Sequence, residues 1–365
     1  MNRTEIANWL RETRPKRLAE LWHLADETRR KNVGDGVFLR GLIELSNHCR
    51  RRCLYCGIRA DNGTVARYRM TLNEVVETAI LAKKLGYGTV VIQSGEDFSY
   101  SKESIAEIIE RVKNETDIIV TLSLGERPEE DWLAWKKAGA NRYLLRFETS
   151  SPALYRAIHP SAKTVTSIEV GDRLTMLKTL REIGYEIGSG VMTGLPGQSW
   201  DDLAADISLF GELALHMIGC GPFLPHPQTP IGKYFPPNPK TGLCTFGELS
   251  EPQKTFCAEA GIPMLDPAEQ VVCDAELPFK VIALTRLVCP KANIPSTTAI
   301  ATVDPVSGRK LGLSRGANVI MPNLTPTQYR KLYSIYPNKA ASTQSAEETD
   351  QMARQHILEI GRFPR

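Results

Sequence analysis

No stretch of about eighteen consecutive apolar residues occurs in the chain, and a helix needs roughly that length to cross a bilayer. Met1 to Glu20 is polar and lacks the apolar segment of a secretory signal. Neither sign of charge is in surplus. The 45 basic and 42 acidic side chains leave +3 over 365 residues, too balanced to argue for a nucleic-acid or membrane partner. Eight cysteines without a secretory signal are expected to be reduced thiols in a cytoplasmic protein. What remains, 42% hydrophobic and 24% charged residues, is an ordinary globular composition that buries its core without staples.

Three of those cysteines lie together. Cys49, Cys53 and Cys56 follow a C-x3-C-x2-C spacing, with Tyr55 just before the last. The preceding run from Val37 to Leu45 reads as a buried strand, which puts the thiols on a loop at a strand's C-terminal end. Three thiolates on one tight loop can hold a 4Fe–4S cluster by three irons and leave the fourth open to a small molecule. A zinc site is the competing reading. It needs a fourth ligand and usually pairs its cysteines as C-x2-C, and His48 stands too close to Cys49 to serve. The spacing resembles the radical S-adenosylmethionine (SAM) superfamily. In that family the open iron chelates SAM, and one electron breaks it to a 5′-deoxyadenosyl radical. An exposed cluster of this kind implies oxygen sensitivity.

The rest of the chain alternates. Strands are expected at Val37–Leu45, Thr89–Gln93, Asp117–Leu124, Arg142–Arg146, Glu186–Thr193, Met217–Phe223, Ile294–Thr302 and Asn318–Met321. Helices are expected at Arg17–Lys31, Leu72–Leu85, Lys102–Lys113, Pro128–Ala138, Val170–Ile183, Asp201–Ala214, Asp274–Val288, Pro326–Ile335 and Ala346–Leu358. Eight strand–helix units imply a parallel α/β fold closed as a (β/α)8 TIM-type barrel, whose chemistry sits at the C-terminal strand ends. The expected parts are an N-terminal helical extension (1–34), the barrel (35–338) and a C-terminal helix and tail (339–365). The Pro- and Gly-rich stretch 232–267 is too long for a connection and reads as an insertion or lid. Cys244, Cys257 and Cys273 fit no metal spacing, and Cys220 and Cys289 read as core thiols.

Polar residues fall where the barrel mouth is expected. Gly95-Glu96-Asp97 ends the second strand, where glycine permits close approach of a ligand. Glu148 ends the fourth, and Arg173 on the next helix can take a carboxylate bidentately; a structural ion pair between the two is the competing reading. Gly190 to Gly194 is another close-approach stretch, or a strand with glycines for packing. Arg50 to Arg52 reads as a solvated loop face that can receive an electron donor.

Further segments carry a closer resemblance. CRRRCLYCGIRADN, RYRMT, QSGED, VTLSLGE, RYLLRFET, GLPGQ, GPFLPHPQTP, NIPSTTA and GANVIMPN are similar to the HydE family, radical SAM maturases of FeFe-hydrogenase, over residues 18 to 338. The resemblance implies cluster ligation by Cys49, Cys53 and Cys56. It implies SAM contacts from Tyr55, Gln93, Glu96, Glu148, Arg173, Met192 and Tyr333. Thr121, Ser123, Arg146, Thr297, Thr298 and Tyr336 would face the cavity in which an iron–cysteine complex carrying CO and cyanide reacts. A ferredoxin- or flavodoxin-type donor and other hydrogenase maturases are the implied partners. Phe147 stands where histidine is expected, so a polar contact beside Glu148 is expected to be lost. No cysteine follows Cys289, so the second iron–sulfur site of some members cannot form. Two alternatives remain open: an amino-acid mutase or synthase like 3-methylornithine synthase, and a non-catalytic iron–sulfur carrier.

Overall fold

The computed structural model describes residues 1–161, 169–244, 246–340 and 342–365. Residue 245 of the expected insertion and residue 341 of the tail lie outside them. The barrel wall begins with β1 (Gly36–Ser46), which is buried along nearly its whole length, as a strand covered on both faces must be. Around it run β2 (Thr89–Ser94), β3 (Ile119–Ser123), β4 (Arg142–Leu144), β5 (Glu186–Thr193), β6 (Met217–Pro222) and β7 (Val319–Ile320). All pair in parallel in the order β6-β5-β4-β3-β2-β1-β7. A short extended segment, 293–296, closes the ring. The Asn293 N–H donates to His216 O at 2.8 Å and Ile218 N–H to Asn293 O at 2.9 Å; on the other side Ser296 N–H donates to Val319 O at 3.0 Å. At the floor, β8 (Phe363–Pro364) pairs with Gly36 and Val37 of β1.

The expected eight-unit barrel is therefore present, with local corrections. Ile294–Thr302 is not one strand, because the chain turns into a helix, Thr298–Val303, with Thr297 as its N-cap. The fourth strand stops at Leu144; Glu148 rejoins the wall through a single bridge to Val191. Pro326–Ile335 holds only the turn of helix Thr327–Arg330. Helices Arg3–Arg11 and Pro152–Ile158 were not expected, since each is too short to display a clear apolar period. Most outer helices start on side-chain caps. Thr71, Ser199 and Ser345 each form a capping box with the acidic residue three positions on, satisfying amides that the helix leaves orphaned.

The 232–267 stretch packs on the mouth. Helix Glu251–Ala260 and the preceding turn bury Phe235, Cys244, Phe256, Cys257 and Ile262 against Leu154, Ile158, Leu195 and Phe223. Leu54, Tyr55 and Met192 lean on the same cluster, so this segment roofs the cysteine loop. Cys220 and Cys289 are buried as expected. No helix among the described residues is long and apolar enough to cross a membrane.

Candidate active site

The cysteine loop leaves β1 and docks on its neighbours by backbone bonds. Gly95 N–H donates to Ser46 O and Arg50 N–H to Glu96 O, each at 3.1 Å. Leu54 N–H donates to Ile158 O at 2.9 Å and Gly57 N–H to Ile335 O at 2.9 Å. Gly95 is required by contact: a Cβ there would stand 2.3 Å from His48 O and 2.7 Å from Cys49 Cβ. Cys49, Cys53 and Cys56 are all free thiols. Burial, the Glu96 carboxylate and Cys53 push the Cys49 thiol up to about 12. Burial, Cys53 and Cys49 push Cys56 up as well. Burial and their mutual proximity thus disfavour the charged forms of these thiols. Among the described residues no three His, Cys, Asp or Glu side chains converge on a single ion. A donor set of three thiols spread over one loop suits a multi-iron cube better than the tetrahedron around one zinc.

Beside the thiols lies a buried charge cluster. Glu96 is enclosed by Arg50 (3.3 Å), Arg173 (3.8 Å) and Arg51 (4.0 Å). Burial nevertheless raises its carboxyl above the usual range. Gly125, at φ +73°, lets the next loop close over it, since a Cβ would meet Glu96 Cγ at 2.1 Å. Arg173 does not reach Glu148. It pairs with Glu126 at 2.7 Å and donates to Arg146 O at 2.6 Å. Glu148 instead accepts from Arg146 Nε at 2.9 Å. Its backbone is left-handed at φ +65°, an unusual conformation for a non-glycine residue. Its Oε2 is buried without a hydrogen-bond partner, an acceptor held ready for a donor.

The wall brings the expected residues to one level. Glu44 aligns with Gln93 and Gln93 with Ser123. Gln93 donates to the Tyr333 hydroxyl at 3.3 Å. Arg146 lies deep in the molecule, yet its side chain keeps 32% of its surface free, so it faces interior space. Tyr55 and Tyr336 are likewise deep and only part-buried. Thr297 Oγ1 approaches Gly221, Thr298 starts the helix beyond it, and Ser123 stays part-buried. Thr121 is set apart. It lines a small cavity of about 10 Å³ at the barrel's lower end with Arg40, Arg142, Glu186 and Met217. Phe147 does not face Glu148 either: it is buried against Phe210 at 5.8 Å on the outer side of the wall.

Several supporting residues were not expected. The Tyr55 hydroxyl meets His159 Nε2 at 3.0 Å, while His159 Nδ1 meets Tyr155 O at 3.0 Å. A carbonyl only accepts, so Nδ1 carries the proton and Nε2 accepts from Tyr55. Burial, then Arg173 and Arg51, keep this imidazole neutral. Gln198 Oε1 accepts from Gly194 N–H at 2.8 Å and its amide donates to Met192 O at 3.1 Å, fixing the strand end that carries Met192. Glu44 pairs with Lys339 at 2.5 Å and accepts from Asn323 at 2.9 Å. The GLPGQ segment pointed to Gln198 and GANVIMPN to Asn323; the others have no local pattern.

The Radical SAM superfamily profile matches residues 43–210. The HydE subunit of the [FeFe] hydrogenase maturase of Thermotoga maritima is 47% identical over 319 residues, 87% of this chain and 79% of that protein. This chain belongs to the HydE family. As a HydE-type protein it is a radical SAM enzyme of the [FeFe] hydrogenase maturase class, for which the superfamily implies a 4Fe–4S cluster and SAM. The 3-methylornithine synthase of Methanosarcina acetivorans is more distant, 26% identical over 305 residues, 83% of this chain and 74% of that enzyme. Among solved structures, methylornithine synthase (PylB) superposes with a TM-score of 0.78 at 21% identity over all of this chain and 94% of its own. The maturase HydG superposes at 0.73 and 18% over all of this chain and 72% of its own. At those identities the likeness is one of fold, and it agrees with the barrel described here.

Proposed function

We propose that Cys49, Cys53 and Cys56 ligate a 4Fe–4S cluster and that the enzyme acts on an iron–cysteine complex carrying CO and cyanide, toward the diiron subcluster of FeFe-hydrogenase. Bound together, the cluster and SAM would supply a 5′-deoxyadenosyl radical inside the barrel, with addition at the substrate's sulfur favoured over hydrogen abstraction. Glu96 and the open Glu148 Oε2 accept from SAM's ammonium and ribose hydroxyls. Arg173, Tyr55, Gln93, Met192 and Tyr333 complete that half of the site. Arg146 carries the substrate reading: a deep cation, held by Glu148 and Val191 O, whose side chain keeps part of its surface free suits a cysteine carboxylate. Ser123, Thr297, Thr298 and Tyr336 offer hydroxyls around it, whereas Thr121, set apart in the lower cavity, is left out of this set. The roof over the loop excludes water and stray hydrogen donors, as a primary radical requires.

An amino-acid mutase needs an acidic partner for a second amino group. The inward Glu44 is already taken by Lys339, which favours the maturase. The test is anaerobic. Reconstituted, reduced protein should give an EPR signal that changes with SAM and disappears in Cys53→Ser. Supplied with the iron–cysteine complex, it should form an adenosylated product, and Arg146→Ala should abolish this while leaving the SAM-induced EPR change. Conversion of free lysine to 3-methylornithine would overturn the substrate assignment. A normal EPR response with no SAM cleavage would leave a carrier.

A further inference from the structure

Outside the barrel, the Tyr87 hydroxyl and His356 Nδ1 are both buried without a hydrogen-bond partner. They flank one arginine. Arg309 is only 8% exposed, and among the described residues it makes no hydrogen bond and no ion pair. Burial pulls its guanidinium below the ordinary arginine range, and only the phenols of Tyr87 and Tyr336 act against this; no carboxylate does. A buried cation without a counter-charge is among the costliest features a fold can carry. The three groups meet where helix Gly308–Ser314, helix Ala346–Leu358 and the turn before β2 come together. Lys310, next to Arg309, pairs at 2.9 Å with Glu359, three residues on from His356. Arg354 Nη2 donates to Leu85 O at 2.6 Å, which ties the same helix to the turn carrying Tyr87. Arg309 acts electrostatically on both Tyr87 and His356. The Tyr87 ring packs on the outer side of the wall, where a Cβ on Gly41 of β1 would stand 3.1 Å from its Cδ2. The acids nearby are engaged elsewhere. Both Asp350 oxygens accept from Arg354 Nε at 2.9 Å, and Glu359 accepts from Lys310 and Gln355, each at 2.9 Å.

We propose that Arg309, Tyr87 and His356 form a binding site for one small oxyanion, of the size of inorganic phosphate or sulfate, between the barrel wall and its outer helices. The guanidinium offers paired, planar donors that match an oxyanion. The phenol adds an O–H donor, and the half-buried His356 forms the rim past which the ion enters. The ion supplies the counter-charge that the fold leaves out. Water would fill the hydrogen bonds but would not cancel the charge. A nucleotide or other large ligand is disfavoured, because Arg309 and Tyr87, at 8% and 1% exposure, are nearly enclosed. The site is separate from the cysteine loop and from Arg146, and it does not depend on the cluster or substrate assignments.

The test titrates inorganic phosphate, and separately sulfate, into the full-length holoenzyme by calorimetry, and follows the thermal midpoint alongside. The midpoint should rise with oxyanion concentration beyond the rise in sodium chloride of equal ionic strength. Arg309→Met keeps the length of the side chain and removes the charge. It should weaken phosphate binding by about tenfold or more. In oxyanion-free buffer its midpoint should match or exceed that of the wild type, because the uncompensated charge is gone. Tyr87→Phe should weaken binding by about three- to tenfold. Arg146→Ala should retain the oxyanion that Arg309→Met loses, which separates this site from the barrel interior. A midpoint in Arg309→Met that falls equally with and without oxyanion would make Arg309 a structural strut and overturn the proposal. So would unchanged binding in both site variants, chloride as effective as phosphate, loss of the binding in Arg146→Ala, or no saturable binding to the wild type.

Discussion

At the scale of single residues, the site is held by contacts that one atom can break. Gly95→Ala would drive a methyl into His48 O and Cys49 Cβ, so the cysteine loop must shift. Iron and sulfide content after reconstitution should fall well below that of the wild type. Gly63→Ala, with nothing within 4 Å of its Cβ, should leave both unchanged. Asp206 makes a different point. It is fully buried, accepts from Ser150 N–H at 2.5 Å, and burial pushes its carboxyl up to about 7. Between the unfolded value near 4 and about pH 7, the native state keeps a proton that the unfolded chain has released. Its stabilising contribution is therefore full below that window and is lost as pH rises through it. Asp206→Asn keeps the acceptor for Ser150 and removes the titration, so its urea midpoint should gain on the wild type between pH 5 and pH 8. A constant difference would show that Asp206 does not titrate there. Neither Asp206 nor His159 could be picked from the sequence. Each acts on a residue far along the chain, and no local spacing reports that. The cysteines were legible because their ligand geometry needs them close in sequence.

At the scale of elements, the C-terminal segment with Tyr333 and Tyr336 is tied to the barrel by hydrogen bonds and by a buried ion pair. Glu44 and Lys339 are both buried, Lys339 also donates to Tyr333 O at 3.1 Å, and its ammonium lies 4.9 Å from the Tyr333 ring. Lys339→Met would strand the Glu44 carboxylate, with a cost of roughly 3–5 kcal/mol. The double variant with Glu44→Gln should recover most of it. A denaturation midpoint for each of the three proteins checks this, and additive losses would show that the pair is not coupled. Strand–helix alternation was readable because each element has its own period, 2 or 3.6. It misled at Ile294–Thr302, where β-branched and small residues suit a strand but Thr297 caps a helix. It also missed the partners of Glu148 and Arg173. Charge alone pairs them plausibly, but the left-handed turn at Glu148 aims that carboxylate at Arg146.

At the scale of the whole molecule, the barrel is closed unevenly. The wall from β1 to β6 is a continuous ladder, whereas the 293–296 segment joins its neighbours by a few bonds. Amide exchange should show Ile218 and Ser296 opening at lower free energy than Val91 and Ile92 in the central strands; equal protection would show a seam as strong as the wall. This difference was invisible in the sequence, which marks where strands lie but not how many bonds each makes. The floor is finished by the chain's last residues. Arg362 donates to Leu313 O and Ala317 O at 3.0 Å each, and Leu39 N–H donates to Arg365 O at 3.2 Å.

That last bond has a practical side. Arg365 lies against Gly36, within 3.2 Å of where a side chain there would begin, and it completes the pairing of β1. Gly36→Val would therefore press on the Arg365 and Phe363 side chains and disturb the first strand's pairing at the floor of the barrel.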